Sequence, residues 1–256
     1  MKHMKKTLYV ILLVCAAFSA SAAENIDTLL TRAEMYYTQK QYDSALTLYM
    51  QIYDQNLRSA DLFYNIGNTY FKSDDVAHSI LWYERALLLD PKHHEAHNNL
   101  AFVNARQIDK VEVLPSGIVT QFFGSIYQFF SYTAWAVLSL IFLIVFLAAL
   151  ILFLFTQSVG IKKLAFGVGI VSLTAAILSL VCANAHNNMI KNNNEAIIME
   201  ATVTIKTEPA KTAADLVTVH EGLKVEFLKT HGEWANIRLL DGKEGWVRKD
   251  YVEKIK

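Results

Sequence analysis

No charged residue occurs between Val113 and Ile161, and none between Leu164 and Ile190 with His186 taken as neutral. This constrains the fold more than any other feature, because side chains this apolar must leave water. Thr133 to Phe155 gives 23 residues rich in Leu, Ile, Phe, Val and Ala. At 1.5 Å per residue such a helix reaches about 34 Å, enough to cross a hydrocarbon core about 30 Å thick. Trp135 stands near its start, where an interfacial aromatic is favoured. Residues 164–183 supply a second run of 20, and Gly167 and Gly169 within it are compatible with a helix in lipid. Between the runs lies the loop 156–163, TQSVGIKK, whose charges are Lys162 and Lys163. The pattern predicts a transmembrane hairpin of helices 133–155 and 164–183.

Within the second run, Ala165, Gly169, Ser172, Ala176, Ser179 and Ala183 are spaced 4, 3, 4, 3 and 4 apart. They share one helix face, and all of them are small. Lipid gives helices no hydrophobic reward for pairing, so close backbone approach has to supply dispersion and weak hydrogen bonds. The stripe reads as a helix-packing seam against the first span. A seam against another protein is the rival, and the short loop favours the first reading. Neither run contains Asp, Glu, Lys, Arg or His, the groups from which proton relays and ion paths are built. Ahead of the first span, 117–132 reads as an uncharged amphipathic helix at the membrane surface. Gln121, Ser125, Gln128 and Tyr132 recur on one side, with Phe122, Ile126, Phe129 and Phe130 on the other.

Residues 1–22 read as a secretory signal peptide. Lys2, Lys5 and Lys6 precede an apolar run from Leu8 to Phe18, and Ala20-Ser21-Ala22 is a small-residue cleavage site. An uncleaved anchor is the alternative, and both readings export the residues C-terminal to it. Val14 before Cys15 argues against lipid attachment there. The first span then enters the cytoplasm, which places the loop inside. Lys162 and Lys163 agree with the positive-inside rule, although Lys191 on the far flank narrows the margin. The expectation is a bacterial inner-membrane protein with two spans and both soluble parts in the periplasm. An asparagine-rich linker, 184–200, comes after the second span.

The polar region 26–108 repeats itself. At a shift of 34, Ala33 falls on Gly67, Tyr36 on Tyr70, Ala45 on Ser79, Tyr49 on Tyr83 and Ile52 on Ala86. Small residues sit where helices cross closely, and aromatics fill the space beside them. The pattern resembles the tetratricopeptide repeat, an all-α helical-repeat fold. The second copy, 60–93, fits well, with Asp74 where glycine is usual and Ser79 where alanine is usual. The first copy departs further, with Arg32 and Leu57 in place of the usual Leu and Pro. Residues 94–106 read as a closing helix. The resemblance implies a concave protein-binding groove, on which Tyr37, Asn68, Phe71, Lys72 and Asn98 are placed. The competing reading makes them solvated or helix-packing residues. His93 and His97 are four apart, but no third metal ligand is near, so a polar inter-repeat turn accounts for them better.

From Ala201 the period changes to two. Five short alternating runs within 201–256 predict a small all-β barrel, with turns at His231-Gly232 and Asp241-Gly242. The segment 219–252, with its Gly245-Trp246-Val247, resembles the bacterial SH3 domain. Such domains often bind peptides or cell-wall fragments. Trp234, Trp246 and Tyr251 would form an aromatic ligand-binding platform. The alternative, favoured by their bulk, buries both tryptophans in the barrel core.

In this order, the signal, repeats, two spans and SH3-like domain resemble the BatE-like proteins of the aerotolerance-operon (Bat) family. The resemblance implies work beside other Bat membrane proteins that carry von Willebrand A-type domains, in oxidative-stress tolerance or envelope homeostasis. The residues alone support a membrane scaffold. A wall-binding module or envelope sensor that meets peptidoglycan through the SH3-like domain is the alternative. No phosphate loop, metal-ligand set or nucleophile–base arrangement is present, so neither an enzyme nor a cofactor is expected. The whole chain balances 24 basic against 24 acidic residues, and loss of 1–22 would leave net −3. Neither value is a nucleic-acid footprint.

Overall fold

The computed structural model describes residues 26–109 and 118–256. The signal-like segment 1–22 and the Leu114-Pro115-Ser116-Gly117 break lie outside them. The chain comprises a helical repeat region, two long apolar helices and a C-terminal antiparallel all-β sheet.

Among the described residues, five helices build the repeats: α1 (26–38), α2 (Tyr42–Asp54), α3 (Ala60–Lys72), α4 (Val76–Leu89) and α5 (His94–Asn104). Ser59, Asp75 and His93 cap the last three, each side chain accepting a backbone N–H from the residue three ahead. The 34-residue shift carries through to the backbone. Lys40 and Asp74, one period apart, both hold φ near +60° in the turn that reverses the chain. Gln41 N–H bonds Tyr36 C=O, and Asp75 N–H bonds Tyr70 C=O, again one period apart. Asp74 therefore does a glycine's job, at the modest cost a short polar residue incurs there. Glycine is required at Gly67, where an added Cβ would stand 2.7 Å from the Tyr83 ring.

Helix α6 (Ile118–Tyr127) turns into α7 (Tyr132–Phe155), which is antiparallel to α8 (Val159–Lys191). Both α7 and α8 are long and apolar enough to cross a membrane. The connection is shorter than the expected 156–163, because Val159 already begins α8. The six small residues of the stripe are all buried on α8, and His186 continues the series one step further. Gly169 lies against Phe146 and Ala149, and Ser139 Oγ donates to Ala176 C=O at 3.1 Å. His186 lies in α8 beyond the predicted span, fully buried, with Nδ1 3.1 Å from Phe130 C=O. The α6 helix is not continuous with α7, because residues 128–131 turn the chain and Trp135 Nε1–H closes back on Tyr127 C=O at 2.9 Å.

Among the described residues, seven strands follow: β1 (Glu195–Ile198), β2 (Thr202–Lys206), β3 (Asp215–His220), β4 (Lys224–His231), β5 (Trp234–Arg238), β6 (Glu244–Arg248) and β7 (Val252–Lys254). They form one sheet in the order β3-β2-β6-β5-β4-β1-β7. The expected linker 184–200 is largely structured, with α8 running to Lys191 and β1 beginning at Glu195. Its strand was invisible because its partners, β4 and β7, lie 25 or more residues away.

Strand β1 is buried on both faces. Ala196 and Ile198 enter the barrel core with Val225, Ala235, Ile237 and Val247. Ile197 points the other way and, with Ile255, packs on Ile80, Leu81, Leu100 and Val103 of α4 and α5. Terminal repeats need a cover for their leftover apolar side, and here the β domain supplies it. Polar groups ring this contact. Lys224 Nζ lies 3.1 Å from Glu84 and 3.0 Å from Glu195. Burial pushes the Glu84 carboxyl up, against the pull of Lys224, while Glu84 and Glu195 outweigh burial and hold the Lys224 ammonium above its ordinary value. Arg85 bridges Glu253 at 2.8 Å and donates to Ile255 C=O. Asp109 pairs with the His220 ring at 3.0 Å. Gly222, at φ +83°, brings its carbonyl to Gln107; a Cβ there would press within 2.7 Å of Ile80.

The Ile255→Ala variant should destabilise the repeats although Ile255 lies outside them. Loss of a side chain only 2% exposed predicts about 2–4 kcal/mol. Near-UV circular dichroism of the buried Trp82 during denaturation would report it.

Candidate functional site

The repeats present their polar-aromatic face on α1, α3 and α5. Tyr37 closes α1 half-buried, with its ring 5.6 Å from Tyr42. Burial raises its hydroxyl pKa, and the neighbouring Tyr42 and Tyr64 add to the shift. Phe71 occupies the equivalent place on α3, one period later. Its ring meets Phe102 of α5 edge-on at 5.9 Å, and Arg106 stands over both, 4.3 Å from Phe102 and 5.8 Å from Phe71. Asn68 is half-buried, and its Oδ1 accepts from Tyr83 Oη at 2.7 Å and Asn99 Nδ2 at 2.8 Å. The carboxamide is thereby fixed, with its NH2 left to donate. Lys72 and Asn98 are exposed. Of the five expected residues, the structure directly joins none to another; Asn68 and Phe71 are each tied to α5 instead. Asn99, Phe102 and Arg106 were missed because they belong to the incomplete closing unit, where the repeat supplies no register. Phe102 remains 51% exposed, so this is an open surface.

This face offers aromatic rings, fixed carboxamides, and two cations, Lys72 and Arg106, that form no salt bridge among the described residues. Both ring nitrogens of His93 have protein partners. Its Nδ1 accepts Ala96 N–H at 3.1 Å and its Nε2 faces Asp61 at 3.1 Å. Among the described residues no group of three or more His, Cys, Asp or Glu is placed to hold a metal ion.

The β domain separates the three expected aromatics. Trp234 and Trp246 are half-buried and lie outside the barrel core, which the alternating Ala235, Ile237 and Val247 fill. They face outward, opposite Arg248 and Asn236 in the strand register. His231 lies 6.3 Å from the Trp246 ring, and Lys229 stands over it at 5.8 Å. Tyr251 packs against the core instead. Arg248 is its link to the tryptophan face, 5.9 Å above its ring. Residue bulk argued for buried tryptophans, but strand alternation puts the small residues inside.

Residues 60–93 match the family model of the tetratricopeptide repeat, and residues 201–253 match that of the bacterial SH3 domain. A search of the curated proteins finds no match. The sheet extends beyond the second match, because β1 precedes it.

Outward tryptophans and an inward core predict unequal costs on truncation. Trp246→Ala should cost about 1 kcal/mol, whereas Ile237→Ala should cost about 2–5 kcal/mol. Urea denaturation of the full chain, read at the β domain, would separate them.

Proposed function

We propose that this chain is an inner-membrane scaffold that holds a tetratricopeptide domain and an SH3 domain as one body on the periplasmic side. The observation that carries the reading is the double burial of β1, which joins both domains. Segments before α7 and after α8 can touch across a bilayer only if the helices return the chain to the side it left. The Lys162–Lys163 end then faces the cytoplasm, in keeping with the positive-inside rule. The open Phe71, Phe102 and Arg106 face takes the partner, through a segment that offers carboxylates beside apolar side chains. We place the chain with the BatE-like proteins and its partners among the Bat membrane proteins with von Willebrand A-type domains. Oxidative-stress tolerance or envelope homeostasis is the process served.

A second reading rests on Trp234 and Trp246. Outward aromatic rings beside Lys229 and His231 suit a cell-wall glycopeptide, which makes the SH3 domain a peptidoglycan-binding sensor.

A photo-crosslinking amino acid at Phe102 should trap one membrane protein bearing a von Willebrand A-type domain, and Arg106→Glu should abolish the adduct. Crosslinks to no protein, with peptidoglycan retained through Trp246, would shift the assignment to the second reading. Reporters fused after Gly160 and after Lys256 should register cytoplasm and periplasm respectively; the reverse result overturns the orientation.

A further inference from the structure

A groove of about 540 Å³ runs along the outside of the hairpin between α7 and α8. Ile141, Phe142 and Val145 form one wall, and Leu164, Val168 and Val171 form the other. The floor dips at Gly167, where an added Cβ would meet nothing within 4 Å. Lys163 is the charged residue of this lining and marks the end nearest the 156–158 turn. It is exposed and forms no salt bridge among the described residues. Ser172 lies nine residues further on, roughly 14 Å along the helix. Its hydroxyl is turned back onto Gly169 C=O, so the far end is effectively apolar.

We infer that this groove binds an anionic phospholipid, with the phosphate on Lys163 and one acyl chain lying over Gly167. The inference rests on α7 and α8 being membrane spans. A cation at the interfacial end of an apolar channel complements a headgroup followed by a hydrocarbon tail, and basic sites between transmembrane helices select anionic lipids on this ground. A second copy of the hairpin offers Lys163 no counter-charge, because α7 and α8 contain no Asp or Glu. Lys162 is placed differently, 6.0 Å over the Phe153 ring, and so serves as the internal control.

Native mass spectrometry of the full chain, purified in detergent with equimolar phosphatidylglycerol and phosphatidylcholine, tests the site. One lysine–headgroup contact predicts about fivefold enrichment of phosphatidylglycerol on the monomer. Lys163→Gln should bring the ratio to about one, while Lys162→Gln should leave it unchanged. Gly167→Leu should fill the dip and lower the total lipid retained. Equal loss of selectivity in both lysine variants, no effect of Gly167→Leu, or a dimer that Gly167→Leu dissolves would each overturn the site. If the chain needs detergent but shows no selectivity, the lipid site fails and the spans stand. If it stays soluble without detergent, both fail.

Discussion

A peptide group in hydrocarbon cannot leave its N–H and C=O unpaired, so a chain crosses lipid as a helix or within a closed β-barrel, and the long apolar runs of this chain form helices. Much of this molecule depends on that requirement. On the proposed reading, the antiparallel α7 and α8 cross the membrane twice and return the chain to its starting side, where two segments remote in sequence meet. Their meeting is specific. Ile197 and Ile255 enter a cluster made by α4 and α5, while the opposite face of the same strand, Ala196 and Ile198, packs into the core of the β domain. The ion trio of Glu84, Lys224 and Glu195 sits at that junction. Buried charges are retained only with good partners, and removing one would strand the others. The junction is therefore intolerant of change on either side.

Much of the fold was legible in the sequence because it is local or periodic. The 34-residue shift reports a constraint that recurs, which is why Lys40 and Asp74 share a backbone conformation although their side chains are unrelated. The small stripe of α8 is legible for the same reason, since its spacing is the helix's own period. Alternation points to five short runs within 201–256, where the structure has six strands, β2 to β7; it does not single out β3 (Asp215–His220). The strand β1 escaped because three asparagines precede it and its pairing partners are remote. The extension of α8 to Lys191 escaped for a related reason: its last turns are held by contacts with the 127–130 turn, such as Gln128 with Met189, rather than by apolar composition.

The candidate site divides along the same line. Tyr37 and Phe71 could be placed because they occupy equivalent positions in two copies. Phe102 and Arg106 could not, because the closing helix has no second copy to set its register. The interface charges were unreadable for a different reason. Glu84, Arg85, Asp109 and Lys224 look like ordinary solvated residues in the sequence, and their roles arise only when segments 111 to 168 residues apart touch. The tryptophans show how bulk misleads. In a sheet, position within the alternation decides which side of the barrel a side chain takes, and size does not.

The join between α8 and β1 consists of residues 192–194. Three residues, even fully extended, give a tether of at most about 11 Å. With α7 and α8 as the proposed spans, the paired domains ride close above the bilayer on a short mast and cannot swing far from it. On the proposed reading, a partner gripped by these domains is held at the membrane surface, and a pull on it reaches α8 with almost no slack to absorb it.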